Sequence, residues 1–217
     1  MKNCSISWLK SLEGIYYGEE PDPKLKIHVK PTDRTLEEMI EDRLNRGIID
    51  ELVVAWKAGT IVKNDNGDFV PRTSGDSLIN CSGKSIIHID KYLERVRRSW
   101  DENNLCKEND FVTIYRELLL CNPPKYFGPV YMINLIYFLS KKKWPIYDRF
   151  AHKAASAMCK QKKPSEIIIN DMPDKRNVKR VNGIYQEYID MLKCRFGRAD
   201  IDRSIDRCLW VYGHAKY

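Results

Sequence analysis

The segment of residues 122–158 constrains the fold more than any other part of the chain. Within it, residues 129–139 form an almost continuous apolar run, which predicts a helix that is buried on most sides. The run is far too short to span a bilayer, for which about 20 apolar residues are needed. A Pro/Gly turn precedes the run and a lysine cluster follows it, so we expect a buried helix between two polar connections.

A second helix is predicted directly after this lysine cluster, over residues 146–158. Asp148 falls in its first turn, where the helix dipole and the unpaired backbone N–H groups favour a carboxylate. The pattern therefore predicts an acidic side chain at a helix start that follows a positively charged loop. An Asp at such a position is most often a helix cap, and this interpretation stays open beside a functional one.

The positive charge of the chain is concentrated in its C-terminal half. Residues 141–198 contain 15 Lys or Arg and 6 Asp or Glu, a net charge of +9, whereas the whole chain carries +7. The remaining residues therefore sum to −2. A basic region of this kind is typical of contact with nucleic acid along one face, although lysines that only solvate helix surfaces give the same count.

The cysteines and the N-terminal residues bear on the cellular compartment. The chain has 7 Cys, without a CxxC pair or a His/Cys cluster at metal-ligand spacing. An odd, scattered set favours reduced thiols in a cytosolic protein, so we expect no metal site, no disulfide framework and no cofactor. Residues 1–14 are too polar for a signal peptide. We therefore expect a cytoplasmic protein without a membrane partner, whose oligomeric state the sequence does not indicate.

Two helices are predicted in the N-terminal part of the chain. Thr35 is a suitable N-cap for the first, Glu38 completes a capping box three residues later, and Gly47 ends the helix. The second helix is expected over residues 50–58 and ends at Gly59, because glycine readily adopts the left-handed conformation that closes a helix.

A β-hairpin is predicted next. The sequence Asn-Asp-Asn-Gly at residues 64–67 lies between two short β-type runs and is a strong turn signal. Asp65, Asn66 and Asp68 also resemble part of a calcium loop, but the later ligand positions do not follow, so turn chemistry is the favoured interpretation. Residues 72–85 are predicted to form a polar loop.

Amphipathic helices with apolar residues at spacings of three and four are predicted in the rest of the chain. They are expected over residues 90–104, 111–121, 178–196 and 201–212. The whole chain, residues 1–217, is therefore expected to form one mainly α-helical domain. Residues 1–86 supply an N-terminal arm, two helices and a small β-hairpin, and residues 87–217 supply the helical core.

Three features of residues 87–213 follow one another in a fixed order. They are a turn that contains Gly128, the apolar helix after it, and the segment Trp-Pro-Ile-Tyr-Asp at residues 144–148, about 20 residues after Gly128. This order resembles the helix-hairpin-helix DNA glycosylase superfamily, in which a Pro-x-x-Asp or Val-Asp segment carries the essential aspartate. The segment that ends at Asp148 is most similar to the Phe-Pro-Ile-(Trp/Tyr)-Asp segment of small bacterial and phage-borne 8-oxoguanine-glycosylase-like proteins.

The resemblance implies a glycosylase-like helical fold and a role in base excision repair of double-stranded DNA. In the implied mechanism the target nucleotide is flipped out of the duplex, and its N-glycosidic bond breaks through an oxocarbenium-like state. Asp148 would stabilise that positive charge and orient or deprotonate the attacking water. Tyr131, Trp144 and Tyr147 would form the base pocket, although aromatic residues at such positions are more often part of the core.

The resemblance also implies which residues contact the DNA backbone. The backbone N–H groups at the start of the second hairpin helix would hold a phosphate without reading sequence, which assigns Lys125, Gly128 and Val130 to DNA binding. The lysine cluster would face phosphates as well, unless it is only a solvated loop. Its members are Lys141, Lys142 and Lys143.

Two departures from the family pattern bear on catalysis. The family hairpin is usually Leu-Pro-Gly-Val-Gly, and residues 125–128 keep the last glycine alone. Bifunctional members carry a nucleophilic lysine early in the second helix, where this chain has Asn134. The resemblance therefore implies a monofunctional enzyme with Asp148 and Asn134 as candidate catalytic residues. The alternatives are a non-catalytic DNA-binding or protein-interaction module that keeps the fold, and an unrelated helical regulatory protein.

Overall fold

Helices form most of the part of the chain that the structure describes. The structure is a computed structural model that describes residues 6–18, 32–80, 82–103, 105, 110–140 and 143–215. The helices are α1 (Ile6–Lys10), α2 (Glu13–Tyr16), α3 (Arg34–Asn45), α4 (Glu51–Ala58), α5 (Ile89–Glu102), α6 (Phe111–Leu120), α7 (Pro129–Leu139), α8 (Arg149–Lys160), α9 (Val178–Phe196) and α10 (Arg203–Gly213), with a 3₁₀ turn at Pro164–Glu166. The strands are β1 (Ile61–Lys63), β2 (Phe69–Pro71), β3 (Thr73–Ser74), β4 (Ser77–Ile79) and β5 (Ser85–Ile86). The prediction of a mainly helical chain with a small antiparallel element in its N-terminal part is confirmed.

The described residues divide into two compact units. Unit 1 is drawn from residues 1–37, 144–171 and 183–217, and unit 2 from residues 38–143 and 172–182. The division falls within α3 and α9, so each of these helices has residues in both units. No helix of the described ranges has both the length and the apolar character that crossing a membrane requires.

Helix α4 ends where the sequence predicts and begins one residue after the predicted start, with Asp50 as its N-cap. The Asp50 carboxylate accepts the backbone N–H groups of Leu52 and Val53, at 3.1 and 3.2 Å, and thereby caps the helix. Gly59 adopts φ 64° and ψ 31°, the left-handed conformation that glycine adopts at low cost. Both ends of α4 therefore follow from local sequence signals.

The start of α3 differs from the prediction. The sequence predicts Thr35 as the N-cap and Glu38 as its capping-box partner, but the Asp33 carboxylate accepts the N–H of Thr35 at 3.0 Å. The helix begins at Arg34, so Thr35 lies inside it. An ionised carboxylate two residues upstream accepts backbone N–H groups more strongly than a threonine hydroxyl does, which moves the cap.

The turn at residues 64–67 forms the predicted hairpin between the antiparallel strands β1 and β2. The Asn64 side-chain oxygen accepts the N–H groups of Asn66 and Asp68, at 3.0 and 2.8 Å. Hydrogen bonds of this type stabilise tight turns. They confirm the interpretation of this sequence as a turn.

Residues 72–85 do not form the predicted polar loop. Strands β3, β4 and β5 form an antiparallel sheet in that order. Leu78 and Ile86 are paired across this sheet and are buried, whereas most side chains around them are exposed. Two buried positions are too few to give a detectable alternation in the sequence, which is why the strands were not predicted.

Helices α6 and α7 pack together in unit 2 and are joined by residues 121–128. The connection is held by two basic side chains. Arg95 Nε donates to the Cys121 carbonyl at 2.9 Å, and Lys175 Nζ donates to the carbonyls of Pro123 and Pro124 at 3.0 and 2.6 Å. These bonds satisfy carbonyl groups that the connection leaves outside any helix, and they fix its path.

Helices α8 and α10 of unit 1 approach each other closely at Gly213. A Cβ atom on Gly213 would lie 2.0 Å from the Phe150 carbonyl oxygen, so a larger residue does not fit unless the backbone moves. Gly213 is the last residue of α10, and Phe150 lies in the first turn of α8. The C-terminal end of α10 therefore lies against the N-terminal end of α8.

Candidate functional site

Asp148 is the N-cap of α8. Its Oδ1 atom accepts the N–H of Phe150 at 2.8 Å, and the helix begins at Arg149. The sequence predicts a helix from Ile146 with Asp148 inside its first turn, so the predicted start is wrong by three residues. Ile146 and Tyr147 are buried in unit 1, and their burial together with the aspartate cap outweighs the helical pattern of the segment.

The backbone just before Asp148 is anchored by tyrosines of α9. The Tyr185 hydroxyl donates to the Pro145 carbonyl at 2.7 Å. The Tyr188 ring packs edge-on against Tyr147, with 5.4 Å between the ring centroids. Burial raises the pKa of all three tyrosines, which keeps them protonated. The half-buried Asp148 side chain therefore follows a backbone segment that α9 holds in place.

Phe150 and His214 form a stacked pair of rings next to Asp148. Their centroids lie 3.4 Å apart and their planes are inclined by 23°. The Trp210 ring packs against His214 with a centroid distance of 4.3 Å. Phe150 is 37% exposed, so the pair presents aromatic surface to solvent. Sequence reasoning missed this pair, because the two residues come together through the contact between α8 and α10 and share no spacing in the chain.

His214 is electrostatically coupled to Asp148. Burial lowers the pKa of His214, and a hydrogen bond to the Trp210 carbonyl and the negative charge of Asp148 oppose that effect in part. His214 Nδ1 lies 2.8 Å from the Trp210 carbonyl oxygen. Because a carbonyl can only accept, Nδ1 carries the proton, and Nε2 of the neutral ring is an acceptor. The site therefore combines a carboxylate with a neutral imidazole that accepts a hydrogen bond.

A basic connector, residues 160–171, returns from the C-terminal end of α8 to this site. Arg149 binds its far end, with Nη1 donating to Asp171 Oδ1 at 2.6 Å and Nη2 donating to the Ile169 carbonyl at 3.3 Å. Ile168 is 93% exposed between two buried neighbours. The exposed lysines at the near end are Lys160, Lys162 and Lys163.

The predicted phosphate contacts of the hairpin lie together in unit 2. Gly128 is the N-cap of α7 and offers no side-chain cap, so the first N–H groups of α7 have no intrahelical acceptor. Lys125 is exposed, with Nζ 5.1 Å from the centroid of the Tyr126 ring, and Val130 is half-buried in the first turn. A helix start with a lysine nearby is chemically suited to an anion.

Tyr131 and Asn134, the other candidates on α7, are enclosed to different degrees. The Tyr131 ring is half-buried and stacks on Phe127, with centroids 5.2 Å apart and planes inclined by 26°. Asn134 is 1% exposed. An amide is not a nucleophile, so Asn134 can contribute hydrogen bonds but no covalent step.

The predicted site residues are divided between the two units. Unit 1 holds Trp144, Tyr147 and Asp148, whereas unit 2 holds Lys125, Gly128, Val130, Tyr131, Asn134 and Lys143. Lys141 and Lys142 lie outside the described residues. Tyr147 is buried, Trp144 is half-buried, and Lys143 is exposed. The exposed aromatic surface near Asp148 is thus supplied by Phe150 and His214 rather than by Tyr147.

Metal ligation and likeness to other proteins add no further site residues. No group of three or more His, Cys, Asp or Glu side chains within the described ranges is placed to hold a metal ion. Comparison of the chain with protein-family models, with curated proteins and with solved structures found no match.

Proposed function

We propose that the protein is a monofunctional DNA base-excision glycosylase of the helix-hairpin-helix type, which hydrolyses the N-glycosidic bond of a damaged base in double-stranded DNA. The observation that carries the proposal is the fixed carboxylate of Asp148 beside the half-exposed rings of Phe150 and His214. Base excision requires a group that stabilises a cationic sugar and a surface that binds an extruded base. Unit 1 offers both where the N-terminal end of α8 meets the C-terminal end of α10.

Asp148 is suited to the chemical step. Cleavage of an N-glycosidic bond builds positive charge on the sugar, and a carboxylate that is already held in place stabilises that charge without reorganising. The hydrogen bond from the Phe150 N–H orients the carboxylate but does not neutralise it. The same carboxylate orients the attacking water and accepts its proton.

Phe150 and His214 are suited to hold the flipped base. Stacking of a base on an aromatic side chain contributes about 1–3 kcal/mol irrespective of sequence. The neutral His214 ring adds a hydrogen-bond acceptor at Nε2, which can receive an N–H of the base. The pair therefore supplies both an apolar face and one polar contact.

Water is the proposed nucleophile. Bifunctional glycosylases use a lysine that forms a Schiff base, and the position that the family resemblance assigns to this lysine holds the buried Asn134. Since an amide cannot form a Schiff base, strand cleavage is not part of the proposal. The reaction then ends with a released base and an intact, abasic strand.

Double-stranded DNA as the partner is supported by charge. Residues 141–198 carry a net charge of +9, and exposed lysines occur in both units, among them Lys125 and Lys143 in unit 2 and Lys160 in unit 1. Lysines that neutralise phosphates release counterions and supply sequence-independent affinity. The uncapped start of α7 adds backbone N–H groups for one phosphate.

Base release from duplexes that carry a panel of damaged bases tests the proposal. The wild-type protein is expected to release a base from at least one duplex, and Asp148→Asn is expected to lower that rate about 100-fold or more. Asparagine caps a helix about as well as aspartate, so the fold of this variant is retained. Asp110→Asn, at the exposed N-cap of α6, is the matched control and should keep the wild-type rate. Failure to release any base would contradict the enzymatic proposal.

A non-catalytic DNA-binding module is the second candidate. It is favoured by Asn134, which stands where bifunctional relatives have the nucleophile, and by the engagement of Asp148 Oδ1 as a helix cap. In the same experiment this candidate predicts salt-dependent binding to duplexes without base release. It also predicts equal affinity for wild-type protein and Asp148→Asn.

A further inference from the structure

Among the buried polar groups of unit 1, three side chains of α8 and α9 have a polar atom without a hydrogen-bond partner in the described residues. These atoms are Nε2 of His152, Oγ of Ser156 and the hydroxyl of Tyr188, and none of the three side chains is accessible to solvent. An unpaired donor or acceptor in a protein interior is destabilising. Buried polar groups almost always have a hydrogen-bond partner, so we expect these three groups to share one.

His152 links the three groups. His152 and Ser156 are four residues apart in α8, so they lie one turn apart on the same face of the helix. The Tyr188 ring packs against the His152 ring, with centroids 5.4 Å apart and planes inclined by 49°. The cluster therefore joins one face of α8 to the part of α9 that lies in unit 1.

The protonation state of His152 defines what the cluster can bind. Burial lowers the pKa of His152 to about 4, and the positive charge of Lys160 acts in the same direction. The ring is therefore neutral at pH 7, with one nitrogen that donates and one that accepts. The Tyr147 hydroxyl lies 3.4 Å from Nδ1, which leaves Nε2 to find a partner on the opposite side of the ring.

We infer that His152, Ser156 and Tyr188 form a binding site for one buried water molecule. Water donates two hydrogen bonds and accepts two, and buried waters typically bond to about three groups that otherwise lack partners. The two hydroxyl groups can each donate or accept, so they are compatible with either tautomer of His152. The three groups are themselves neutral, and a neutral water molecule satisfies them without burying a further charge.

The water joins α8 to α9 directly behind the segment that carries Asp148, since Tyr147 contacts both His152 and Tyr188. Its role is structural, and it does not depend on the proposed enzymatic function. Thermal unfolding of the full chain can therefore test it without any DNA substrate.

Ser156→Ala, Tyr188→Phe and the double variant test the site. If one water bonds to both hydroxyl groups, each single change lowers the melting temperature, by about 2–6 °C. The shift in melting temperature of the double variant is then expected to be clearly smaller than the sum of the two single shifts, because the first change already weakens the water site. If the groups have no partner, removing them leaves the melting temperature unchanged or raises it. Either that result or full additivity would overturn the inference.

Tyr185→Phe provides the matched control. Tyr185 is buried as Tyr188 is, but its hydroxyl donates directly to the Pro145 carbonyl. Tyr185→Phe by itself should lower the melting temperature. In a double variant, its shift should add fully to the shift that Ser156→Ala causes. A crystal structure of the wild-type chain gives a second readout. It should show an electron-density peak within hydrogen-bond distance of His152 Nε2 and of both hydroxyl groups, and the lack of such a peak would overturn the inference.

Discussion

Glu37 is a carboxylate in the interior of unit 1, with 1% of its surface exposed. Its Oε2 atom lies 3.3 Å from both Arg203 Nη2 and Arg207 Nη2, and Tyr16 donates its hydroxyl hydrogen to Oε1 at 2.8 Å. A buried charge is tolerated when it is paired and fully hydrogen-bonded. The two arginines are likewise nearly buried, and each has a second carboxylate partner, since Arg203 also pairs with Asp206 and Arg207 with Glu13.

Glu37→Gln is expected to lower the free energy of unfolding by about 1–3 kcal/mol, because both buried guanidinium groups lose a charge-assisted hydrogen bond although each keeps its other carboxylate partner. Chemical denaturation of the purified protein measures this loss. Glu38→Gln is the matched control, since the neighbouring side chain is exposed, and it should change the free energy by less than about 0.5 kcal/mol. Equal effects of the two variants would show that the network contributes no stability.

His152 gives the stability of the protein a defined dependence on pH. Burial lowers its pKa in the folded protein to about 4, whereas a histidine in an unfolded chain titrates near pH 6.5, at about the value of model peptides. Between these two values the unfolded chain binds a proton that the folded chain does not. The free energy of unfolding therefore falls as the pH drops from about 6.5 towards 4, by up to about 1.4 kcal/mol per pH unit.

Urea denaturation at pH 7, 6 and 5 measures this slope, and His152→Gln should show a shallower decline than the wild type. The comparison requires that both proteins have the same dependence of the free energy on urea concentration, which shows that they expose the same surface on unfolding. Identical pH slopes for the two proteins would contradict the assignment of the effect to His152.

At the residue scale, the sequence indicates those site residues that have distinctive neighbours in the chain. Asp148 could be proposed as a candidate because Trp-Pro-Ile-Tyr precedes it and a basic region surrounds it. Phe150 and His214 could not, because an isolated Phe and an isolated His have no pattern until two helices bring them together. The same holds for Glu37, whose partners Arg203 and Arg207 are distant in the sequence.

At the scale of elements, helix ends are predictable where one cap has no competitor. Asp50 stands alone before its helix, and it is the cap in the structure. The predicted start of α3 was wrong because Asp33, two residues before Thr35, caps the helix instead. The start of α8 was wrong because burial of the residues before Asp148 is a tertiary effect, which periodicity in a short window does not contain.

The packing of α8 against α10 depends on the absence of a side chain at Gly213. Gly213→Ala would place a Cβ atom 2.0 Å from the Phe150 carbonyl oxygen, so one of the two helices has to shift. Overpacking of this kind typically costs about 1–3 kcal/mol, and chemical denaturation should show a loss of that size. If the enzymatic proposal holds, base release should fall as well, because the shift separates His214 from Phe150.

Gly183→Ala is the matched control for this change. Gly183 lies inside α9, and a Cβ atom there would meet nothing within 4 Å. Alanine is the better helix former, so this variant should gain about 0.4–1 kcal/mol of stability. A loss of stability at Gly183, or none at Gly213, would contradict the assignment of the Gly213 effect to the close helix contact.

At the scale of the whole molecule, the sequence predicts composition and secondary structure better than connectivity. It predicts one domain with a boundary between an N-terminal part and a helical core at residues 86 and 87, whereas unit 1 is drawn from three separate stretches of the chain. Contacts such as the 3.0 Å ion pair between Glu13 and Arg207 join residues at opposite ends of the sequence. Pairings of this kind leave no local signal in spacing or hydropathy, so they could not be predicted.

The regional distribution of charge, by contrast, is visible in the sequence and leads to a prediction about DNA. Changing Lys160, Lys162 and Lys163 to Glu alters the net charge of the chain from +7 to +1, since each change removes two units. If these lysines contact phosphates, the plot of log affinity against log salt concentration becomes shallower in the variant. Its slope decreases in magnitude by up to about 2.7, which is about 0.9 for each of the three contacts. Fluorescence anisotropy of a labelled duplex between 50 and 200 mM salt, about the range over which such contacts dominate affinity, measures this change.

Total charge and local contact can be separated by a second triple variant. Three exposed lysines of unit 2 lie outside the basic region and can be changed to Glu with the same effect on net charge. They are Lys63, Lys84 and Lys91. If the basic connector of unit 1 binds DNA, this control keeps most of the salt dependence that the first triple variant loses, because counterion release counts phosphates contacted rather than charges carried. An equal loss in both variants would mean that net charge alone attracts the duplex and that the connector is an ordinary solvated surface.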